Sequence, residues 1–322
     1  MTPARRALYF LVGFAAICTV LSLVYDWAAR RNPIVKVNWI FAMDHRDFDF
    51  IVIGSSRAYH TVDIPSIDHA TKLEGVNLGL NGAAFPEIAL VLERFLEHNS
   101  AREIAFEVDP FELDRRYLRE GVHAYLYVPY IDEPIVADAL EDQFDGEAVA
   151  WRYVPLYKYA EWNERIGLTS VVELISLPAP EFDAFGTRLS TSHMSDSAVR
   201  AVRDTTYYID RDRVLGFERV LDIAKLRHVR VTMFVAPEFA PAIRAARGRA
   251  QAIEVYRSIA RQRGVSFLTF DDPAIENDPA NFSDAEHLNR TGARLFSAEL
   301  GAALAEAWKN DSAARPPAPR AP

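Results

Sequence analysis

The 322-residue sequence contains a single cysteine, Cys18, which lies in an apolar stretch. One cysteine excludes an intrachain disulfide and any zinc site built from cysteine pairs. Positive charge is also scarce, since 36 Lys and Arg stand against 45 Asp and Glu, giving a formal net charge of -9. Nucleic-acid-binding proteins usually carry the opposite charge, so we expect no nucleic-acid partner.

A long apolar run near the N-terminus predicts a membrane anchor. Residues 7–25 carry no charged side chain, and about 20 such residues are needed to span a bilayer. The run is long for a signal-peptide core and ends without a small-x-small cleavage site. We therefore interpret residues 1–30 as an uncleaved, single-pass anchor in the cytoplasmic membrane. A cleaved signal peptide is the alternative. Arginines flank both ends, and we place the following domain on the periplasmic or extracytoplasmic side.

Beyond the anchor, apolar strand patterns alternate with helical ones, which predicts an α/β fold. We predict strands over residues 48–54, 74–84, 102–110, 228–239 and 264–272, and helices over 86–99, 241–262 and 289–309. Asn289 is the expected N-cap of the last helix. This alternation is typical of a mostly parallel sheet covered on both faces, a flavodoxin-like three-layer sandwich.

The alternation is interrupted between the third and fourth predicted strands. We predict an α/β domain over residues 31–308, a helical insertion at about 111–212 and a disordered Pro/Ala-rich tail over 309–322. The insertion is rich in aromatic residues, beginning at Tyr117. They either pack a small core of the insertion or form a lid or carbohydrate-stacking wall.

The first predicted strand stops abruptly in FDFIVIGSSRAYH, residues 48–60. Ligands of open parallel sheets bind outside the carboxyl ends of the strands. Ser56 therefore lies where a nucleophile would stand, with Ser55 as the alternative. A P-loop is excluded because no lysine follows Gly54 at the required spacing. An α/β-hydrolase elbow is excluded because Ala58 replaces its second glycine.

A second polar cluster, NFSDAEHLN, precedes the last predicted helix over residues 281–289. Asp284 and His287 are three residues apart, so the carboxylate can orient the imidazole, whose other nitrogen is then free to deprotonate a serine. The alternative is simple helix punctuation, because Ser283 and Glu286 fit a capping box.

Taken together, these blocks resemble the SGNH/GDSL hydrolase superfamily: an early strand ending in Gly-x-Ser, the stretch NLGLNG ending at Gly82, and a late Asp-x-x-His. The resemblance is greatest to membrane-anchored bacterial members, such as the alginate O-acetylation proteins and the D-alanyl transfer protein of the teichoic-acid pathway. It implies that Ser56 is the nucleophile, Asp284 the orienting carboxylate and His287 the base. It also implies an oxyanion hole formed by the backbone N–H groups of Ser56 and Gly82.

The family's Gly-x-Asn-Asp block is missing, because residues 107–110 read Glu-Val-Asp-Pro. The asparagine that would donate a third oxyanion hydrogen bond is therefore absent. Candidate substrate contacts are Arg57, Asn81 and Asp109, although Arg57 pairing with an acid such as Asp109 is the alternative. We expect no cofactor and no metal, and we interpret the charged residues between 44 and 49 as a solvated loop.

The sequence therefore predicts serine-dependent acyl transfer or ester hydrolysis on a cell-envelope or secreted polysaccharide, through an acyl-enzyme. The resemblance also suggests a multi-span membrane acyltransferase as a partner. The alternative is a non-catalytic glycan-binding or scaffold protein that serves such an acyltransferase. The missing asparagine donor favours this alternative.

Overall fold

The five predicted strands all form, and they make one parallel sheet in the computed structural model. The structure describes residues 1–114, 116, 121–176 and 179–314. Seven strands occur in these ranges: β1 (Asp47–Ile53), β2 (Gly75–Asn77), β3 (Ser100–Glu107), β4 (Thr205–Thr206), β5 (Arg230–Val235), β6 (Ala246–Arg247) and β7 (Ser266–Thr269). The main sheet has the order β2-β1-β3-β5-β7, and β4 pairs with β6 alone. Every pairing within the main sheet is parallel, which confirms the α/β class.

The chain divides into two compact units, residues 1–42 with 122–181, and residues 43–121 with 182–322. The first unit is helical and contains α1 (Pro3–Arg30), α2 (Lys36–Phe41), α6 (Ala124–Tyr127), α7 (Pro134–Tyr153), α8 (Tyr157–Glu161) and α9 (Leu168–Ser176). The second unit carries the sheet and the remaining helices: α3 (Ser56–Thr61), α4 (Ile64–Thr71), α5 (Phe85–His98), α10 (Asp196–Ala201), α11 (Arg211–Leu226), α12 (Ala240–Ala245), α13 (Arg249–Arg263), α14 (Pro273–Glu276) and α15 (Arg290–Ala314).

Apolar side chains on successive strand positions bind the sheet to its helices. Phe50 of β1 packs on Trp308 of α15, with ring centroids 5.3 Å apart. Phe106 of β3 packs on Phe217 of α11 at 5.7 Å, and Phe217 also contacts Phe85 of α5 at 5.6 Å. Neighbouring strand residues point to opposite faces, so a continuous apolar run can serve helices on either side. That helices cover both faces of the sheet in a three-layer sandwich remains a prediction.

The division of the chain differs from the predicted insertion boundaries. Only residues 122–181 join α1 in the helical unit, whereas the chain from 182 onward belongs to the sheet unit. The reason is a set of backbone hydrogen bonds: Asn77 N donates to Phe185 O at 2.8 Å, and Met194 N donates to Phe282 O at 2.8 Å. This stretch therefore supports the sheet unit although it has no strand–helix pattern.

Two helix predictions need correction. The predicted helix over 241–262 is broken into α12 and α13, because Gly248 adopts a positive φ of 84° and β6 pairs with β4 just before it. The last helix continues to Ala314 instead of ending at 309, since the first proline, at position 316, lies beyond that point. The remainder of the predicted tail, 315–322, lies outside the described residues. The N-cap prediction is confirmed, because Asn289 Oδ1 accepts from Thr291 N at 3.0 Å.

The aromatic residues predicted to pack a small core partly do so. Tyr127, Tyr130, Trp151 and Tyr159 are buried within the helical unit. Tyr153 and Tyr157 are exposed, and Tyr117 lies outside the described residues. The stacking-wall interpretation remains a prediction.

Candidate active site

The turn after β1 places Ser56 at the sheet edge. Gly54 has a φ of 146°, and a Cβ there would lie 2.9 Å from both Ala58 Cβ and Glu107 O. A side chain at this position is therefore excluded by its neighbours as well as by its backbone conformation. The tight turn lets α3 begin at Ser56, with Ser55 as its N-cap residue.

Of the two serines, only Ser56 reaches a surface. Ser55 is fully buried, whereas Ser56 retains 9% of its exposed area. Ser56 Oγ lies 2.9 Å from His287 Nε2. The geometry therefore favours Ser56 over Ser55 as the hydroxyl that a base can deprotonate.

The loop that carries His287 is a tight turn and not the start of a helix. Phe282 and Leu288 form an antiparallel bridge, and Ser283 N donates to His287 O at 2.9 Å. Inside the turn, Asp284 Oδ1 accepts from the backbone N–H of Glu286 and of His287, both at 2.9 Å. The capping-box alternative does not describe this segment, because α15 begins only at Arg290.

Asp284 also orients the imidazole. Both of its carboxylate oxygens lie 3.0 Å from His287 Nδ1. This arrangement fits a tautomer in which Nδ1–H donates to Asp284 and the Nε2 lone pair faces Ser56 Oγ. Burial raises the pKa of Asp284, but the hydrogen bond and charge of His287 outweigh it and leave the pKa below its usual value. The carboxylate therefore stays ionised and can support a positive imidazole.

Gly82 lies in a segment that is packed closely against α3. Leu80 N donates to Gly54 O at 3.1 Å, and Asn77 Nδ2 donates to Ala58 O at 2.7 Å. Gly82 itself has a φ of 72°, which favours glycine. These bonds join the segment to the turn that carries Ser56. The role of the Gly82 N–H as an oxyanion donor remains a prediction.

His60 is a neighbour of the site that the sequence reasoning missed. Its ring packs edge-on against that of His287, with centroids 5.4 Å apart, and its Nδ1 lies 2.9 Å from Arg188 O. Burial lowers the pKa of His60 to about 4, so the ring is neutral at physiological pH. The exposed Asn81 hydrogen-bonds to the same side chain. The available signal was the spacing of four from Ser56, which puts both residues on one face of α3.

Arg57 and Asp109 were predicted as substrate contacts, and their burial contradicts this. Both side chains are only 1% exposed. Arg57 donates to Asp109 and to Ala236 O, and pairs with Glu238 at 3.1 Å. The alternative of an internal ion pair is therefore correct. Arg57 points inward because it starts one residue after Ser56 on a helix, where adjacent side chains diverge.

The carboxylates around Arg57 outnumber it. Burial raises the pKa of Glu107 to about 8 and that of Asp109 to about 6, although Arg57 opposes both shifts. Burial also raises the pKa of Glu112 well above its usual value. Burial acts in the same direction on Glu238, but Arg57 and Arg249 hold its pKa below the usual value. Within this buried acidic cluster, the pKa values of Glu107, Asp109 and Glu112 are therefore raised while that of Glu238 is lowered.

The charged residues between 44 and 49 form ion pairs and hydrogen bonds, and Asp47 and Asp49 belong to β1 itself and not to a loop before it. Asp49 pairs with Arg102 at 3.0 Å and Asp44 with His98 at 3.2 Å, while Asp47 accepts from Ser100 Oγ. No group of three or more His, Cys, Asp or Glu suited to a metal ion occurs within the described residues.

Comparison with known proteins gives only distant structural similarity. No family model matches the chain, and no curated protein sequence matches it. A Bacteroides fragilis protein provisionally named an acylhydrolase superimposes with a TM-score of 0.37 and 8% identity, covering 81% of this chain and 88% of its own. A Streptococcus pneumonia protein provisionally named a platelet activating factor gives 0.41 and 10%, covering 93% and 99%. At these TM-scores and sequence identities, the similarity does not bear on the chemistry of the site.

Proposed function

We propose that this chain is a serine-dependent acyl-transfer enzyme of SGNH type. The observation that carries the proposal is the hydrogen-bonded series Ser56 Oγ, His287 Nε2, His287 Nδ1 and Asp284, with separations of 2.9 and 3.0 Å. A serine needs an adjacent base, and that base needs an orienting partner, to become a nucleophile at neutral pH.

In the proposed reaction, Ser56 Oγ attacks an ester carbonyl while His287 Nε2 accepts the hydroxyl proton. Asp284 stabilises the imidazolium that forms, and the backbone N–H groups of Ser56 and Gly82 hold the oxyanion. His287 then returns the proton to the departing alcohol, leaving the acyl group on Ser56. Attack by water completes ester hydrolysis, whereas attack by a sugar hydroxyl completes O-acyl transfer.

The proposed setting is the outer face of the cytoplasmic membrane, with an envelope or secreted polysaccharide as substrate or acceptor. Helix α1 is long and apolar enough to cross a bilayer, and none of its apolar window is buried within the protein. A signal sequence has the same features, so retention of residues 1–30 in the mature protein belongs to the proposal. The resemblance to membrane-anchored acetylation and D-alanyl transfer proteins supports the choice of substrate and of a multi-span acyltransferase as partner.

Covalent labelling tests the chemistry. Full-length protein in detergent is incubated with a fluorophosphonate probe and, separately, with p-nitrophenyl acetate, with and without an oligosaccharide acceptor. We expect labelling of the wild type, loss of labelling in Ser56→Ala and His287→Ala, and retention in Ser55→Ala. The matched control is Ser55→Ala because that serine is adjacent but fully buried.

The outcome against the proposal is a folded wild type that neither labels nor turns over any ester. The non-catalytic scaffold would then be favoured. Acetyl groups appearing on the oligosaccharide would identify a transferase, and free acetate alone would identify an esterase.

A further inference from the structure

An exposed apolar turn in the helical unit lies beside the C-terminal end of α1. Residues 149–157 read VAWRYVPLY and contain one charged side chain, Arg152. The turn segment, residues 153–157, joins α7 to α8. Within it Tyr153 is 70% exposed, Val154 50% and Tyr157 43%. These values are high for large apolar and aromatic side chains, so the turn segment lacks a cover within its own unit.

The position of the turn segment along α1 follows from direct contacts. Leu156 N donates to Ser22 Oγ at 2.6 Å. One helical turn further on, Asp26 Oδ1 accepts from Tyr159 Oη at 2.5 Å and pairs with Lys158 Nζ at 2.7 Å. The chain from Leu156 to Tyr159 therefore runs alongside α1 from Ser22 to Asp26.

These contacts set the depth of the turn segment if α1 spans a membrane, as the proposed function requires. The uncharged run over residues 7–25 is about 28 Å long at 1.5 Å per residue, close to the thickness of the hydrocarbon core. Asp26 is the first charged residue after this run, so we place it at the membrane interface near the C-terminal end of α1. Ser22 lies about 6 Å deeper along the helix, so Leu156 lies at the boundary between headgroups and acyl chains.

We propose that the turn segment is immersed in the membrane interface, in the leaflet that the C-terminal end of α1 enters. Tyrosine is enriched at this depth because its ring is apolar and its hydroxyl can remain hydrated. At this level the Asp26 carboxylate accepts a hydrogen bond from Tyr159 and forms an ion pair with Lys158. The helical unit then holds the membrane at two places, α1 and the turn segment, which fixes its height and tilt.

The contact is apolar and not electrostatic. Arg152 is the only charge in residues 149–157, and it lies 3.8 Å from Glu141. Lys158 is directed at Asp26 and is only 8% exposed. Immersion should therefore be insensitive to salt and should not require anionic lipids.

Nitroxide depth measurements test the inference on the full chain in nanodiscs that contain this protein and neutral lipid only. Three sites are labelled: native Cys18, and Val154→Cys and Ile175→Cys in a Cys18→Ser background. Ile175 is the matched control because it is an exposed apolar residue of the same unit, at 76% exposure. Ile175 lies near the C-terminal end of α9, two residues after Glu173. The Glu173 carboxylate accepts a hydrogen bond from Asn32 Nδ2 at 2.5 Å. Because Asn32 follows the end of α1 at Arg30, we expect Ile175 to lie outside the membrane.

We expect Cys18 and Val154 to be more accessible to oxygen than to a water-soluble nickel chelate, and Ile175 to show the reverse. The ratio at Val154 should exceed that at Ile175 several-fold and remain unchanged as salt is raised. A Val154 site as wet as Ile175, with Cys18 still in lipid, would overturn the inference and leave the anchor intact. It would favour a partner protein as the cover. A wet Cys18 would overturn the anchor, and the inference with it.

Discussion

The Asp284–His287 loop and the buried acidic cluster around Arg57 both place carboxylates beside a basic side chain. The two regions differ in solvent exposure and in the number of carboxylates that share the basic group. Asp284 is 55% exposed and His287 20%, and each carboxylate oxygen has a defined partner. Arg57 and Asp109 are 1% exposed, and one guanidinium serves Glu107, Asp109 and Glu238. The first arrangement keeps a carboxylate ionised beside a base that can exchange protons. In the second arrangement, buried ion pairs of Arg57 hold the start of α3, and so Ser56, in place.

Solvent exposure and the number of hydrogen-bond donors for each carboxylate, more than the residue type, determine whether an acid is ionised. Partial burial raises the pKa of Asp284, but three hydrogen-bond donors, the His287 imidazole and the backbone N–H groups of Glu286 and His287, outweigh it and lower the pKa. Burial raises the pKa of Glu107, and the neighbouring acids Asp109 and Glu238 add to the rise, although the shared Arg57 opposes it. Burial without enough donors favours the protonated acid.

The largest effect is expected from Asp284→Asn, which tests the catalytic side of the comparison. An amide can hold the wrong tautomer of His287, so the nitrogen facing Ser56 becomes a donor. We expect kcat for ester hydrolysis to fall about 10³- to 10⁴-fold with little change in the melting temperature. Steady-state kinetics and thermal unfolding of the full chain in detergent measure both. Activity within a few-fold of wild type would show that Asp284 only shapes the turn.

A smaller effect, on stability alone, is expected from Arg57→Ala. The substitution leaves buried carboxylates without their cation, which typically costs about 3–5 kcal/mol of unfolding free energy. Denaturant unfolding in detergent measures it. The control is Arg263→Ala, whose ion pairs with Glu218 and Asp222 are partly exposed and should contribute about 0–1 kcal/mol. Equal losses in the two variants would contradict a special role for the buried acidic cluster.

The smallest effect is expected from Glu107→Gln, which tests the buried acidic cluster through the pH dependence of stability. The pKa of Glu107 is raised by burial from 4.5 to about 8. Between these values the folded protein keeps a proton that the unfolded chain releases, so stability falls as pH rises through this window.

In Glu107→Gln this contribution is absent, so stability should decline less between pH 5 and pH 8 (roughly the window between the two pKa values). Melting temperature measured across this range tests the prediction. Glu254→Gln is the control, because hydrogen bonds from Arg261 and Arg257 lower the pKa of Glu254 and its titration falls below the window. A wild-type slope in Glu107→Gln would mean that the carboxyl is not buried in its protonated form.

Much of the sheet unit was predictable from local pattern. Residues 50–53 of β1 form a continuous apolar run that is followed by Gly54, a pattern typical of a buried parallel strand. The same reasoning failed over residues 182–212, which have no periodicity and belong to the sheet unit through backbone hydrogen bonds such as Asn77 N to Phe185 O. Backbone donors are present in every residue, so their use leaves little trace in the sequence.

The candidate site shows the same limit. Ser56, Asp284 and His287 could be nominated from position and spacing, but Arg57 and Asp109 were nominated for substrate contact on chemistry alone. The direction in which Arg57 points depends on where α3 begins, and a shift of one residue would exchange the surroundings of Ser56 and Arg57. His60 was missed because its significance depends on His287, which lies far along the chain.

By itself the sequence determined the strand order along the chain, the apolar run of α1 and the short Asp284–His287 spacing, since all three depend on neighbours a few residues apart. The tertiary structure alone decided which serine meets the imidazole, because Ser56 and His287 are 231 positions apart. It also decided that α1 joins residues 122–181 in one unit. Contacts across such separations arise from the packing of whole elements, and local periodicity carries no record of them.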